Sequence, residues 1–275
     1  MSHNREFIAL VPLVNFNSDS DLIQLDDTLC LRRINRTELD DLINEALNYK
    51  FKLQHVLEKV EYVIEKRVRQ EKKEYFAWNE NSPYVRNIVL ALGLFKRDYV
   101  YTPTAFLLDS SDTSFAVSNT SPLKIGFGEH PYFLRHKEIE AFVELWSKLQ
   151  NMKEEKLYLR FPLGKFEETL HPEDYPYDDL LKYMLAFESI VFRRETEAPR
   201  PYGRAIGIAV GMLLGKNEKE RTQIEKSLKR AYEIRDKLAH GHLLIKFDRL
   251  PEDYGHVESD AHEHLRRTLK KLLEE

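Results

Sequence analysis

The sequence predicts an α+β protein, with a mixed α/β domain over residues 1–152 and an all-helical bundle over residues 153–275. Three features predict it. Short runs rich in β-branched and aromatic residues, bounded by polar turns, are confined to the first half. From residue 178 onward apolar residues recur every three or four positions, the period of an amphipathic helix, without strand-like alternation. Between the halves lies a polar break at 151–156, where the domain boundary is expected.

Residues 7–14 read as a strand built on Phe7, Ile8, Leu10, Val11 and Val14. A second strand run covers 25–34, with a polar tip at Asp26 and Asp27. The period then changes. Thr37 and Glu38 look like a capped, acidic helix start, followed by Leu39, Leu42, Ile43 and Ala46 at helical spacing. At 60–68 the alternation of Val60, Tyr62 and Ile64 argues for a strand, while a helix running from Phe51 fits nearly as well. Pro83 points to a buried helix from about residue 84, because the first turn of a helix leaves unused the N–H that proline lacks. Strand composition returns between 99 and 127, interrupted by the polar run 109–114, which suits a hairpin turn. Residues 134–149 are expected to be helical, with Ile139, Phe142, Val143 and Trp146 on one face. In the second half helices are expected at 178–192, 202–215 and 218–240, with a charged, proline-marked loop at 193–201. Ser259 is the expected cap of a fourth helix, lined by Ala261, Leu265, Leu269 and Leu272.

Composition narrows the function classes. Lys and Arg number 42 against 46 Asp and Glu, a formal net charge of −4, so no global basic field holds a long nucleic acid by counterion release. Any contact with such a polymer must be local. The longest apolar runs, 88–95 and 205–215, are shorter than the roughly 18 to 20 residues a membrane-spanning helix needs. With no signal-like segment after the first residues, a cytoplasmic protein without a membrane partner is expected. Cys30 is the only cysteine, which excludes an intrachain disulfide and a cysteine-based metal site. Five of the ten histidines, His240, His242, His256, His262 and His264, fall close together. No cysteine joins them, and positions i and i+2 on a helix point apart, so no metal or other cofactor is expected.

Three features of the helical half bear on chemistry. On the helix from Glu218 the apolar stripe runs through Ile224, Leu228, Ala231 and Leu238, and Arg235 falls inside it. On the helix at 178–192, Glu188 likewise sits in an arc bracketed by Tyr177, Met184, Phe187 and Val191. Burying either charge alone costs several kcal/mol, roughly, so a Glu188–Arg235 pair or a wet cleft is the natural resolution. His240 follows Arg235 by five residues, about 140° of rotation, which puts it on another helix face. Gly241 is a natural helix terminator, and unwinding there would let His240 swing toward the arginine. Arginine holds phosphate and neutral histidine accepts a proton near pH 7, a combination suited to phosphoryl-transfer chemistry. Gly203, Gly207, Gly211 and Gly215 recur every fourth residue, a stripe that admits a close helix crossing.

The block containing Leu185, Glu188 and Ile190, the segment 209–215 ending in Leu-Leu-Gly, and the series Tyr232, Arg235, His240, Gly241 occur in that order. Together they resemble an Apea-like HEPN domain, over about residues 157–275. The resemblance implies a helical bundle that dimerises and, in active members, a metal-independent ribonuclease. By the same resemblance Arg235, His240 and Asp236 are the implied catalytic residues, with Glu188, Tyr232 and Gly241 supporting them. The chain departs from the family pattern in lacking an arginine near Ala209, although Arg204 lies close by. RNA is the implied partner, because only RNA carries the 2′-hydroxyl such cleavage uses. Lys226, Lys229, Arg230 and Lys237 offer local positive charge beside the motif. The competing expectation is a non-catalytic dimerisation module in which Arg235 is an interface or core ion pair. If the chain is a toxin or defence effector, as the resemblance hints, residues 1–152 are its candidate sensor.

Overall fold

The computed structural model describes residues 5–48, 54–70, 83–98, 100–109, 112–119, 131–170, 178–193, 201–240 and 250–275. The chain is an α+β protein that divides into two compact units, Met1–Gln150 and Asn151–Glu275.

In the first unit β1 (Arg5–Leu13), β3 (Leu22–Asp26), β4 (Leu29–Arg33), β5 (Tyr62–Gln70), β6 (Thr104–Asp109) and β7 (Asp112–Asn119) form a six-stranded antiparallel sheet, ordered β3-β4-β5-β1-β6-β7. β1 sits inside the sheet because it is apolar on both faces. Phe7 and Ala9 pack with Leu107, while Leu10 packs with Val63 and Phe106. The stretch at 60–68 that two patterns fitted is a strand, buried on both faces through Tyr62, Val63 and Ile64. The helical alternative survives only as α2 (Gln54–Leu57).

The run 25–34 is two strands. Asp26 accepts hydrogen bonds from the Thr28 N–H and hydroxyl, at 2.7 and 2.8 Å, and this turn breaks it into a hairpin. α1 (Arg36–Asn48) lays Leu39, Leu42 and Ile43 over the Leu10, Val63 and Phe106 face. Its cap is Asn35 rather than Thr37, since Asn35 Oδ1 accepts the Glu38 N–H at 2.9 Å. α3 (Pro83–Phe95) begins at the expected proline. The helix expected from 134 starts later, as α4 (Ile139–Gln150). Tyr132 and Leu134 instead alternate inward in β8 (Tyr132–Leu134), paired in parallel with β2 (Phe16–Ser18). Of the hairpin expected between 99 and 127, β6 and β7 are seen, while 110–111 and 120–127 lie outside the described residues.

The second unit is helical throughout its described residues: a 3₁₀ segment, then α5 (Arg160–Glu168), α6 (Asp178–Val191), α7 (Tyr202–Leu214), α8 (Glu218–Ala239) and α9 (Tyr254–Glu274). The interior of the expected loop at 193–201 lies outside the described residues, as does Tyr177. α9 starts five residues before Ser259, so Ser259 is not a cap. Its apolar period reaches back through Val257 to Tyr254, and its core face ends on Leu273 in place of Leu272. The glycines of α7 face α8 at close range. A Cβ added to Gly207 would stand 2.8 Å from Glu225 Cα, and one added to Gly203 would stand 2.7 Å from Tyr232 Cβ. The missing side chains are what let the two backbones approach, and they set the register in which α8 crosses α7.

Candidate functional site

α8 carries Tyr232, Arg235, Asp236 and His240 within its last turns. Ile224, Leu228, Ala231 and Ile234 anchor its core face, which leaves Arg235 at the rim, 18% exposed. Across from it α6 buries Met184 and Phe187 and presents Glu188 at the same rim. Glu188 Oε1 lies 3.2 Å from Arg235 Nη2, so two charges placed on apolar faces resolve each other by pairing.

Tyr232 closes this pair from one side. Its ring centroid is 5.2 Å from Arg235 Cζ, a cation–π contact, and its hydroxyl donates to Glu188. Burial first, and then the Glu188 charge, push the phenol up to about 12. Arg235 Nε is buried and has no hydrogen-bond partner among the described residues. A buried guanidinium N–H without an acceptor is costly, and such a donor suits an anionic oxygen.

His240 does not swing to the arginine. Its N–H keeps the helical bond to the Asp236 carbonyl at 3.1 Å, so the backbone has not unwound at that point. One turn separates residues 236 and 240, which puts them on one face. His240 Nε2 accordingly stands 3.5 Å from Asp236 Oδ1, and the same oxygen is 3.9 Å from Arg235 Nη1. Glu188, Arg235, Asp236 and His240 therefore run as a series of contacts from the buried rim outward to an imidazole that is 66% exposed. A carboxylate beside Nε2 favours the tautomer protonated there and leaves Nδ1 as the basic nitrogen. Gly241 lies outside the described residues.

The neighbouring cations divide. Lys226, Lys229 and Lys237 are exposed, whereas Arg230 is held bidentately by Asp253, at 2.9 and 3.0 Å, which occupies its guanidinium. Arg204 lies 3.4 Å from Glu225. Among the other histidines, His262 is buried in the core, stacked on Phe166 at 5.3 Å. Burial lowers the pKa of His264, and His242 lies outside the described residues. Among the described residues no three His, Cys, Asp or Glu side chains are grouped to hold a metal ion. No helix among them is long and apolar enough to cross a membrane.

Asp236 adjoins Arg235 in the sequence, and its spacing of four from His240 is the signal that places it beside the imidazole. Tyr202, which packs against Tyr232, and Phe192, which packs against Tyr202, carry no such signal, because they lie at the ends of two different helices. A scan against family models finds no match to the chain, and searches of curated proteins and of solved structures find none either.

Proposed function

We propose that the helical unit is a metal-independent endoribonuclease of the HEPN type, acting in the cytoplasm on RNA. The observation that carries this reading is Asp236 standing between Arg235 and His240. A permanent cation with an unsatisfied N–H and a carboxylate-oriented imidazole thereby flank one carboxylate at the end of α8.

In the proposed reaction His240 accepts the proton of a ribose 2′-hydroxyl, and the 2′-oxygen attacks the adjacent phosphorus. The bond from phosphorus to the 5′-oxygen breaks, and that oxygen leaves with a proton. The products are a 2′,3′-cyclic phosphate and a 5′-hydroxyl. Arg235 holds the phosphate and the negative charge that builds on it. A second copy of the motif, brought near by a two-fold dimer, would supply the proton donor. Supporting such a dimer, α7 carries a single charged side chain, Arg204, and exposes apolar residues on the turns that follow it. Its Ile208 and Met212 are 41% and 69% exposed, where a helix of an isolated bundle would carry polar residues. A toxin or defence role, with the first unit as sensor, extends the reading to the whole chain.

The test is cleavage of labelled RNA in EDTA by the wild type, His240→Ala and Arg235→Ala. The expected result is cyclic-phosphate product from the wild type and a loss of about 10²-fold or more in each variant. No cleavage by the wild type, or equal cleavage by all three, overturns the proposal. The Glu188–Arg235 pair favours a second reading, a non-catalytic dimerisation module in which that pair serves stability alone. Its mark is a dimer that survives in both variants without any cleavage by the wild type.

A further inference from the structure

Beside the Glu188–Arg235 pair three aromatic rings meet at one end of the helical unit. Phe192 follows Glu188 by one turn, its N–H bonded to the Glu188 carbonyl at 2.9 Å, so it extends the face of α6 that carries the glutamate. Its ring centroid lies 5.6 Å from that of Tyr202, the first residue of α7, with the planes at 56°. Tyr202 in turn meets Tyr232 edge-on, at 6.2 Å and 68°. Tyr232 then carries the Arg235 guanidinium over its ring. Each of the three rings is only half-buried, so each keeps surface toward solvent, unlike the fully buried Phe166, Tyr183 and Phe187 of the same unit. An edge-to-face contact occupies one ring face, where parallel stacking would occupy two. The next residue, Arg193, packs its guanidinium 4.0 Å from the Tyr158 ring centroid, which adds a second cation to this end of α6.

We infer that Phe192 and Tyr202, with Tyr232, form a nucleobase-stacking subsite that receives an unpaired base of a single-stranded RNA flanking the phosphate at Arg235. The inference rests on the ribonuclease reading above for the identity of that phosphate. Sequence-tolerant recognition of single strands combines aromatic faces that take bases with nearby arginines that take phosphates, and this ladder joins the two. In a duplex the bases are stacked on each other, so the subsite selects loops and single strands. It also answers the chain's lack of global positive charge, since stacking contributes affinity that does not depend on net charge.

The test uses the full chain and a fluorescein-labelled 12-residue oligonucleotide, fully 2′-O-methylated so that it cannot be cleaved, with binding read by anisotropy. A set of the same oligonucleotide with one abasic position moved along it completes the probe. Tyr202→Leu keeps apolar bulk and removes the aromatic face, and Tyr202→Phe keeps both. The expected result is binding weakened about tenfold in Tyr202→Leu and retained in Tyr202→Phe. One abasic position should also weaken the wild type while leaving Tyr202→Leu no weaker than before. Equal binding by wild type and Tyr202→Leu, equal loss for every abasic position, or no binding by the wild type overturns the inference. Cleavage of unmodified RNA is scored separately. A wild type that binds in this Tyr202-dependent way yet does not cleave keeps the subsite and discards the ribonuclease. A wild type that cleaves, with Tyr202→Leu binding and cleaving equally well, does the reverse.

Discussion

Asp236 Oδ1 stands 3.5 Å from His240 Nε2, across a single turn at the end of α8. The contact makes the carboxylate an orienting group for the imidazole, with the same oxygen 3.9 Å from Arg235. Asp236→Asn keeps the shape and removes the charge. Because both side chains are more than half exposed, their pairing contributes little to stability. On the proposed ribonuclease reading, single-turnover cleavage should fall about tenfold or more in Asp236→Asn, with its thermal unfolding close to that of the wild type. A variant that cleaves at the wild-type rate would remove Asp236 from the site.

The Glu188–Arg235 pair is more sheltered, and its members tie two helices together. Truncating either one leaves a partly buried charge without its partner. A cost of about 1 to 3 kcal/mol is expected for Glu188→Ala or Arg235→Ala, between the values for exposed and buried pairs. A double-mutant cycle followed by denaturant unfolding measures the coupling. A coupling near zero would mean that the two charges are held by solvent.

Two glycine substitutions should have opposite signs. Gly207→Ala places a Cβ 2.8 Å from the backbone of Glu225 and must push α7 from α8, at a cost of about 1 to 3 kcal/mol. Gly164→Ala lies inside α5, where an added Cβ meets nothing within 4 Å, so helix propensity alone decides the sign. It should stabilise by about 0.5 to 1 kcal/mol. Comparing the two unfolding midpoints tests whether the glycine stripe is a packing device, and equal effects would refute it.

Stability should depend on pH through His264. Burial lowers its folded pKa below the ordinary 6.5; Arg267 acts in the same direction, and Asp260, Glu263 and Glu220 oppose it. The unfolded chain then binds a proton at a pH where the folded chain does not, so the stabilisation is complete above about 6.5 and is lost as pH falls below it. Denaturant midpoints should drop between pH 7.5 and 5.5 in the wild type, and by less in His264→Leu. An identical drop in the two proteins would assign the effect to other groups.

Much of the site could be read from α8 alone, because a helix has one period. The positions of Tyr232, Arg235, Asp236 and His240 around its axis follow from 100° per residue, and so does the presence of a charge on an apolar face. The unwinding expected at the helix end did not occur at His240, because the period already offers Asp236 as a partner one turn back. The start of α9 was displaced for a similar reason: Ser259 has a capping side chain, but the apolar period around it runs on to Tyr254.

Local pattern determined that the first half holds strands and the second helices, that α7 needs a close neighbour, and that Glu188 and Arg235 each need a counter-charge. These are properties of one segment and its own period. Only the tertiary structure decided that the sheet runs β3-β4-β5-β1-β6-β7, that Leu134 joins a strand paired with β2 rather than a helix, and that Phe192, Tyr202 and Tyr232 share a corner. Each of these depends on which surfaces of distant segments fit together. A helix period places a side chain around its own axis but says nothing of the element that arrives opposite it. In the helical unit that arrival was set by four missing side chains, where α7 could come against α8.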